Sequence, residues 1–317
     1  MTSPSTPGGG ALVLVNPRAS RLTDPARRRR VVEAVTTAVR QRTGRAPLVE
    51  DRSLEAARAA LVAASDAPLV VVIGGDGTVR EAAAALAGRE TPLAVVPAGT
   101  GNVLAHGLGL RGVSTALEAI QSGGPRRLDL GLARRSEAGV DPAALATSEE
   151  HVFTVACGMG LDARIMAAAE HEWKRRLRFG AYVGATVREL ARLSSSRFRI
   201  VADGEAIEID AYLVLVANAG ELIPGRIGPR QPIDPTDGHL DLIVLGGRAP
   251  LGALQGAARL LLSEGELTGQ VVRRPVRAVT IEAEPPQPIE VDGGALPAGR
   301  LEASVLPGAI SILVPKR

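Results

Sequence analysis

The chain has 317 residues, 45% of them hydrophobic and 22% charged, with a formal net charge of +3. That is ample apolar material for two domains, and too little charge to imply a nucleic-acid partner. Of its 37 basic residues only Lys174 and Lys316 are lysine, and neither follows a glycine-rich loop, so a Walker-type phosphate loop is excluded. Cys157 is the single cysteine and aromatics make up 2%, which excludes disulfide frameworks, Cys-ligated zinc and a base-stacking platform. Phosphate, if handled, must be held by backbone amides, arginine and metal.

From residue 11 short apolar strands alternate with helical patterns. ALVLV (11–15) reads as a buried strand ending in Asn16-Pro17, and 24–42 as an arginine-rich helix with Val31, Val32, Val35 and Val39 on one face. APLVE (46–50) is a strand and 52–64 a helix. APLVVVIGG (67–75) is a strand, with a helix from Thr78 to Ala87. PLAVVPAG (92–99) is a fourth strand, followed by helical patterns at 101–109 and 113–121. This alternation predicts a parallel sheet covered on both faces, with ligands at the carboxyl ends of its strands.

From about Gly124 the chain turns to short β-rich runs, among them RRLDLGLA, HVFTVACG, RFRIVADG, EIDAYLVLVANAG, LDLIVLGG and PIEVDGG. The expectation is an α/β fold: an N-terminal parallel-sheet nucleotide-binding domain over 10–124, followed by a β-rich sandwich over 125–304. Residues 305–317 are candidates to complete the first domain. Two helical stretches, 162–193 and 250–263, interrupt the sandwich, and 133–149 reads as a surface insertion. The start, MTSPSTPGGG, lacks a basic secretory segment, and no stretch approaches ~20 apolar residues. A cytoplasmic chain, peripheral on the membrane at most, is expected.

Three loops carry chemistry. Gly74-Gly75-Asp76-Gly77-Thr78 follows the most hydrophobic strand and opens a helix, whose N-terminus offers unpaired N–H groups to an anion. An aspartate there points to a shared divalent cation, the lesser alternative being a helix cap. Pro97-Ala98-Gly99-Thr100-Gly101-Asn102 and Asn16-Pro17-Arg18-Ala19-Ser20 end two further strands. All three would open at one edge of the sheet.

With LDLG (128–131), GMGLDA (158–163), DPTDGHLDL (234–242) and VDGG (291–294), these loops resemble the diacylglycerol kinase catalytic-domain family, which includes bacterial lipid kinases and sphingosine and ceramide kinases. The resemblance runs over about 11–316. It implies an ATP-dependent lipid kinase, with diacylglycerol the default acceptor. ATP would be contacted by Asn16, Pro17, Arg18, Ala19, Ser20, Gly74, Gly75, Asp76, Gly77, Thr78, Val79, Arg80, Gly99, Thr100 and Asn102. Asp76 and Asp129 would join a water-mediated Mg²⁺ network, and a structural Mg²⁺ would be held by the Asp237 carboxylate and the backbone carbonyls of Asp234 and His239.

Two positions depart from the family pattern. Val103 stands where Asp is common, and Gly294 where an acidic general base is usual. Asp292 would share a face with Gly294, and could replace that base, only if the strand stays extended. A catalytically impaired binding relative therefore stays open, as does an NAD kinase, which shares the GGDGT turn. His106, His151, His171 and His239 are scattered without metal-ligand spacing, and Cys157 reads as a small core residue. Trp173, Lys174, Arg175, Arg176 and Arg178 suit either a solvated helix face or contact with anionic lipid headgroups. A homodimer is compatible with this reading, and nucleic acid is not an expected partner.

Overall fold

The computed structural model describes residues 10–51, 54–64, 66–137, 149–160, 195–220, 233–247 and 271–316. The chain forms two compact units. The first takes in residues up to Leu130, with Pro235–Asp237 and the segment from Leu306, and the second takes in Gly131–Asp234 and Gly238–Val305.

In the first unit, strands β1 (Leu12–Val15), β2 (Leu48–Asp51), β3 (Val70–Gly74) and β4 (Leu93–Pro97) form a parallel sheet in the order β2-β1-β3-β4. The end of β15 (Arg300–Val314) adds a further parallel strand beside β4 through Ile312 and Leu93. Every residue of β1, β3 and β4 is buried, as a sheet covered on both faces requires. Val13, Val15, Val71, Ile73, Ala94 and Val96 turn to one face, where helices α1 (Pro25–Thr43) and α5 (Val113–Ser122) pack together. Helices α2 (Leu54–Ala63) and α3 (Asp76–Leu86) also pack on each other, and α3 lies against β3 and β4.

Local chemistry sets the helix ends. The Asp24 side chain accepts the Ala26 N–H at 3.0 Å, Pro25 occupies the first helical position, and Gly44 closes α1 in the left-handed region at φ 75°.

The second unit is an antiparallel sandwich. Its long strand β9 (Glu205–Ala217) pairs with β8 (Ser196–Ala202) along its first half. Along its second half it lies between β7 (Ala156–Gly160) and β10 (Leu240–Gly246). Strands β11 (Val271–Val276), β12 (Ala278–Glu284), β13 (Ile289–Val291), β14 (Gly294–Leu296) and the first part of β15 complete the pairing. Alternate residues fill one core: Phe198 and Ile200, Val214 and Val216, Leu242 and Val244, Val279 and Ile281, Ile289 and Val291. Cys157 is buried in the same core.

One expectation needs correcting. Residues 133–136 and 149 are not part of a surface insertion but belong to strands β5 (Gly124–Ser136) and β6 (Glu149–Phe153), which pair antiparallel. Their polar residues form a cross-strand ion pair, Arg134 to Glu150 at 2.7 Å, which the charge-rich sequence disguised as loop. The stretch 138–148 and the two expected helical stretches, 162–193 and 250–263, lie outside the described residues.

Candidate active site

Three loops meet at the carboxyl end of the first unit's sheet, where β1, β3 and β4 each give way to a helical turn. From β1, Asn16 is buried, and its Nδ2 donates to the Thr78 Oγ1 at 3.0 Å while its Oδ1 accepts the Arg18 N–H at 3.0 Å. One side chain thus fixes its own loop and ties it to the start of α3. The chain continues into a 3-10 turn, Ser20–Leu22. There the Arg21 N–H donates to the Ala98 carbonyl at 3.0 Å, and the Ser20 and Thr100 hydroxyls bond at 3.1 Å.

The loops after β3 and β4 are pressed still closer. The Ala98 N–H donates to the Gly74 carbonyl at 2.7 Å. A Cβ on Gly75 would lie 3.0 Å from the Gly99 Cα, so glycine at both positions permits the approach. No side chain caps Gly75, the residue before α3. The N–H groups of Asp76 and Gly77 have no intrahelical acceptor, and they lie at the positive end of the helix dipole. This end of α3 is chemically suited to a phosphate oxygen.

Around it, Arg18, Ser20 and Thr100 are exposed, whereas Ala19, Thr78, Val79, Gly99 and Asn102 are buried. Pro17, Gly77 and Arg80 are half-buried, and the Arg80 Nη2 lies 3.3 Å from the Glu81 Oε1. Val79 belongs to the packed side of α3, which leaves its backbone as the part able to meet a ligand.

Asp76 directs both carboxylate oxygens at backbone donors, the Asn102 and Val103 N–H groups, each at 2.7 Å. Asp129, 3% exposed on β5, accepts the Gly308 N–H through Oδ1 at 2.6 Å, and its own N–H donates to the Pro235 carbonyl at 2.7 Å. Asp234, Asp237 and His239 lie in the turn before β10, the two aspartates exposed and the histidine half-buried. Among the described residues no group of three His, Cys, Asp or Glu side chains is placed to hold a metal.

In the second unit, Asp292 is not on an extended strand. Asp292 and Gly293 both have positive φ, 46° and 83°, as a two-residue type I′ hairpin turn between β13 and β14 requires. The condition for Asp292 to stand beside Gly294 on one strand face is therefore not met. Its Oδ2 accepts from the Thr154 N–H at 2.7 Å and the Thr154 hydroxyl at 2.9 Å, and its Oδ1 from the N–H groups of Val155 at 2.9 Å and Ala156 at 3.0 Å. Burial pushes its pKa up from the ordinary value, and these four donors oppose that shift.

Sequence reasoning missed three buried polar residues here. Asn218 donates through Nδ2 to the Thr154 carbonyl at 3.0 Å, Thr154 is itself fully buried, and Glu290, 4% exposed, accepts the Gly293 N–H. The Asp-Gly pair in PIEVDGG is a strong hairpin signal that would have placed Asp292 in a turn. Cys157 has its thiol pKa raised first by burial and then by Glu290 and Asp292, so it stays an unreactive thiol.

The sequence profile described as "Diacylglycerol kinase catalytic domain" matches residues 10–133. A second, described as "YegS C-terminal NAD kinase beta sandwich-like domain", matches residues 155–314, half of the chain. The chain belongs to the diacylglycerol kinase family. A Synechocystis protein of uncharacterized function is 26% identical over 162 residues, 50% of this chain and 37% of that protein. A Staphylococcus epidermidis protein, provisionally named a lipid kinase, is 27% identical over 135 residues, 42% of this chain and 43% of its own length. These alignments span about two fifths of the relatives' length.

Solved structures extend the likeness in fold. A Bacillus anthracis protein, provisionally described as a diacylglycerol kinase, superposes with a TM-score of 0.72 at 22% identity, covering 96% of this chain and 97% of that one. Yeast NADH kinase, solved with NADH, is a more distant neighbour, with a TM-score of 0.51 at 11% identity over 97% of this chain and 84% of its own. Residues Trp173 to Arg178, the expected lipid-headgroup patch, lie outside the described residues. Among the described residues no helix is long and apolar enough to cross a membrane.

Proposed function

We propose that this family member is an ATP-dependent lipid kinase that moves the γ-phosphate to a lipid hydroxyl, with diacylglycerol as acceptor and phosphatidic acid as product. The observation that carries the proposal is the cluster of three loops hydrogen-bonded around the uncapped N-terminus of α3. Backbone N–H groups at a helix start, with the exposed Arg18 beside them, give a polyphosphate donors and positive charge without any lysine.

In this reading the loops hold and orient ATP. The lipid hydroxyl oxygen bonds to the γ-phosphorus as the bond to the β,γ-bridging oxygen breaks, ADP leaves, and the hydroxyl proton passes to water or a nearby carboxylate. Positioning and charge neutralisation dominate such a transfer. Mg²⁺ would neutralise charge on the phosphates, with Asp76 and Asp129 the candidates to hold it through water. The acceptor lies in a bilayer, so contact with a membrane surface belongs to the proposal, and the segment Trp173 to Arg178 is its candidate.

Gly294 favours a second reading, a nucleotide- or lipid-binding relative with impaired transfer, because a missing base removes a factor of ~10²–10⁴. Incubation with γ-labelled ATP, Mg²⁺ or Mn²⁺, and diacylglycerol, sphingosine, ceramide or NAD separates the possibilities. Label in phosphatidic acid is the expected result. Nucleotide binding with no labelled product would favour the binding module, and label in NAD alone would overturn the lipid assignment.

A further inference from the structure

Helix α4 (Val103–Gly107) has an unusual start. The N–H groups at a helix start need acceptors from outside the helix, and the residue in the capping position normally supplies one. Asn102 occupies that position in the left-handed region, φ 54°, and makes no side-chain cap to α4. Its side chain turns back instead, accepting the Gly99 N–H at 2.9 Å and donating to the Gly99 carbonyl at 2.8 Å. The acceptor comes from a different helix. Asp76, in the first turn of α3, takes the Asn102 N–H on Oδ2 and the Val103 N–H on Oδ1, each at 2.7 Å.

We infer that Asp76 is a positioning residue, a carboxylate latch that locks the turn after β3 to the turn after β4. Three neighbouring positions agree. A Cβ on Gly101 would lie 2.7 Å from the Asp76 Oδ2, so any side chain there displaces the latch. The close approach of Gly75 and Gly99 brings the two turns within reach of one short side chain. A carboxylate at 103 would share the same helix end with Asp76 and repel it, whereas Val103 adds no charge there.

The latch has a consequence for binding, which rests on the kinase reading of these loops. The latch adds to the Ala98–Gly74 bond in fixing the spacing between the first N–H groups of α3 and Thr100. Loss of the latch should therefore weaken nucleotide binding whether or not metal is present. A metal-holding carboxylate behaves differently, because removing it matters only when the metal is there.

The test uses the full chain and three variants, Asp76→Asn, Asp76→Ala and Gly101→Ala, with two readouts. The first is residue-resolved amide exchange without nucleotide. Asn102 and Val103 should be protected in the wild type and exchange about tenfold faster or more in each variant, in line with the loss of charge-assisted hydrogen bonds. The second is ADP affinity in Mg²⁺ and in EDTA, which should fall by the same factor, about tenfold, in both. Unchanged protection of Asn102 and Val103, or an affinity loss confined to Mg²⁺, overturns the latch. Gly101→Ala keeps the carboxylate and removes its room, so agreement between it and Asp76→Asn separates the latch from any loss of charge. If the wild type binds no ADP the kinase reading fails, and amide exchange still decides the latch.

Discussion

Asp76 and Asp292 do similar chemistry in different surroundings. Each carboxylate accepts backbone N–H groups from a segment remote in sequence, 26 and 27 residues away for Asp76 and 136 to 138 for Asp292. Asp76 lies at a loop edge with exposed Arg18, Ser20 and Thr100, where a ligand can arrive. Asp292 takes four donors, and its pKa is raised by burial. The comparison teaches that one device, a carboxylate clasping backbone, arranges a polar edge in the first unit and secures the fold in the second.

The largest effect should come from the buried clasp. Asp292→Ala leaves the donors of Thr154, Val155 and Ala156 without their acceptor and should cost about 3–5 kcal/mol of stability, read by chemical denaturation. The pH dependence has a definite sign. A folded-state pKa raised above the ordinary value means the folded chain binds the proton more readily, so this contribution is fully present below pH 3.8 and is lost as pH rises through the raised value. The stability difference between wild type and Asp292→Asn should shrink as pH rises over that window. A difference that grows instead would show that the four hydrogen bonds outweigh burial.

Next comes the latch at the loop edge. Asp76→Ala should reduce lipid-phosphorylating kcat/KM on the order of 10²-fold while the fold persists, because a small displacement of a binding turn has that effect on positioning. Full activity in that variant would remove Asp76 from the site and break the comparison between the two carboxylates.

Gly294→Glu comes third. If a missing proton acceptor limits turnover, the substitution should raise kcat about tenfold or more. An unchanged rate would mean that another group already takes the proton. The smallest effect belongs to the exposed hydroxyl pair. Ser20→Ala removes the bond to Thr100 at the cost of at most about 1 kcal/mol and should raise the KM for ATP a few-fold.

The loops of the first unit were readable because each follows a continuous apolar strand and opens a helix, a local pattern in NPRAS, GGDGT and PAGTGN. What those loops do to one another was not readable. The bonds from Asp76 to Asn102 and Val103, and from Asn16 to Thr78, join side chains to partners in other segments and leave no periodic trace. Thr154 and Asn218 acquire their roles only when β7, β9 and the hairpin tip come together, so neither stands out in FTVACG or ANAG. The strands at 133–136 and 149 were hidden by charge, since Arg134 and Glu150 pair across a hairpin while each reads singly as loop. Asp76 and Asp129 stood out only through the resemblance, and no local pattern shows that both accept backbone N–H groups from remote segments.

In the proposed function the nucleotide phosphates sit on the three loops of the first unit. Amide resonances of the full chain, followed as a non-hydrolysable ATP analogue is added with Mg²⁺, test this most directly. The account predicts the largest shifts at Ser20, at Gly75 through Thr78, and at Thr100, with the β-sandwich core around Phe198 and Val214 unmoved. Shifts centred on the second unit, with these loop amides unchanged, would contradict it.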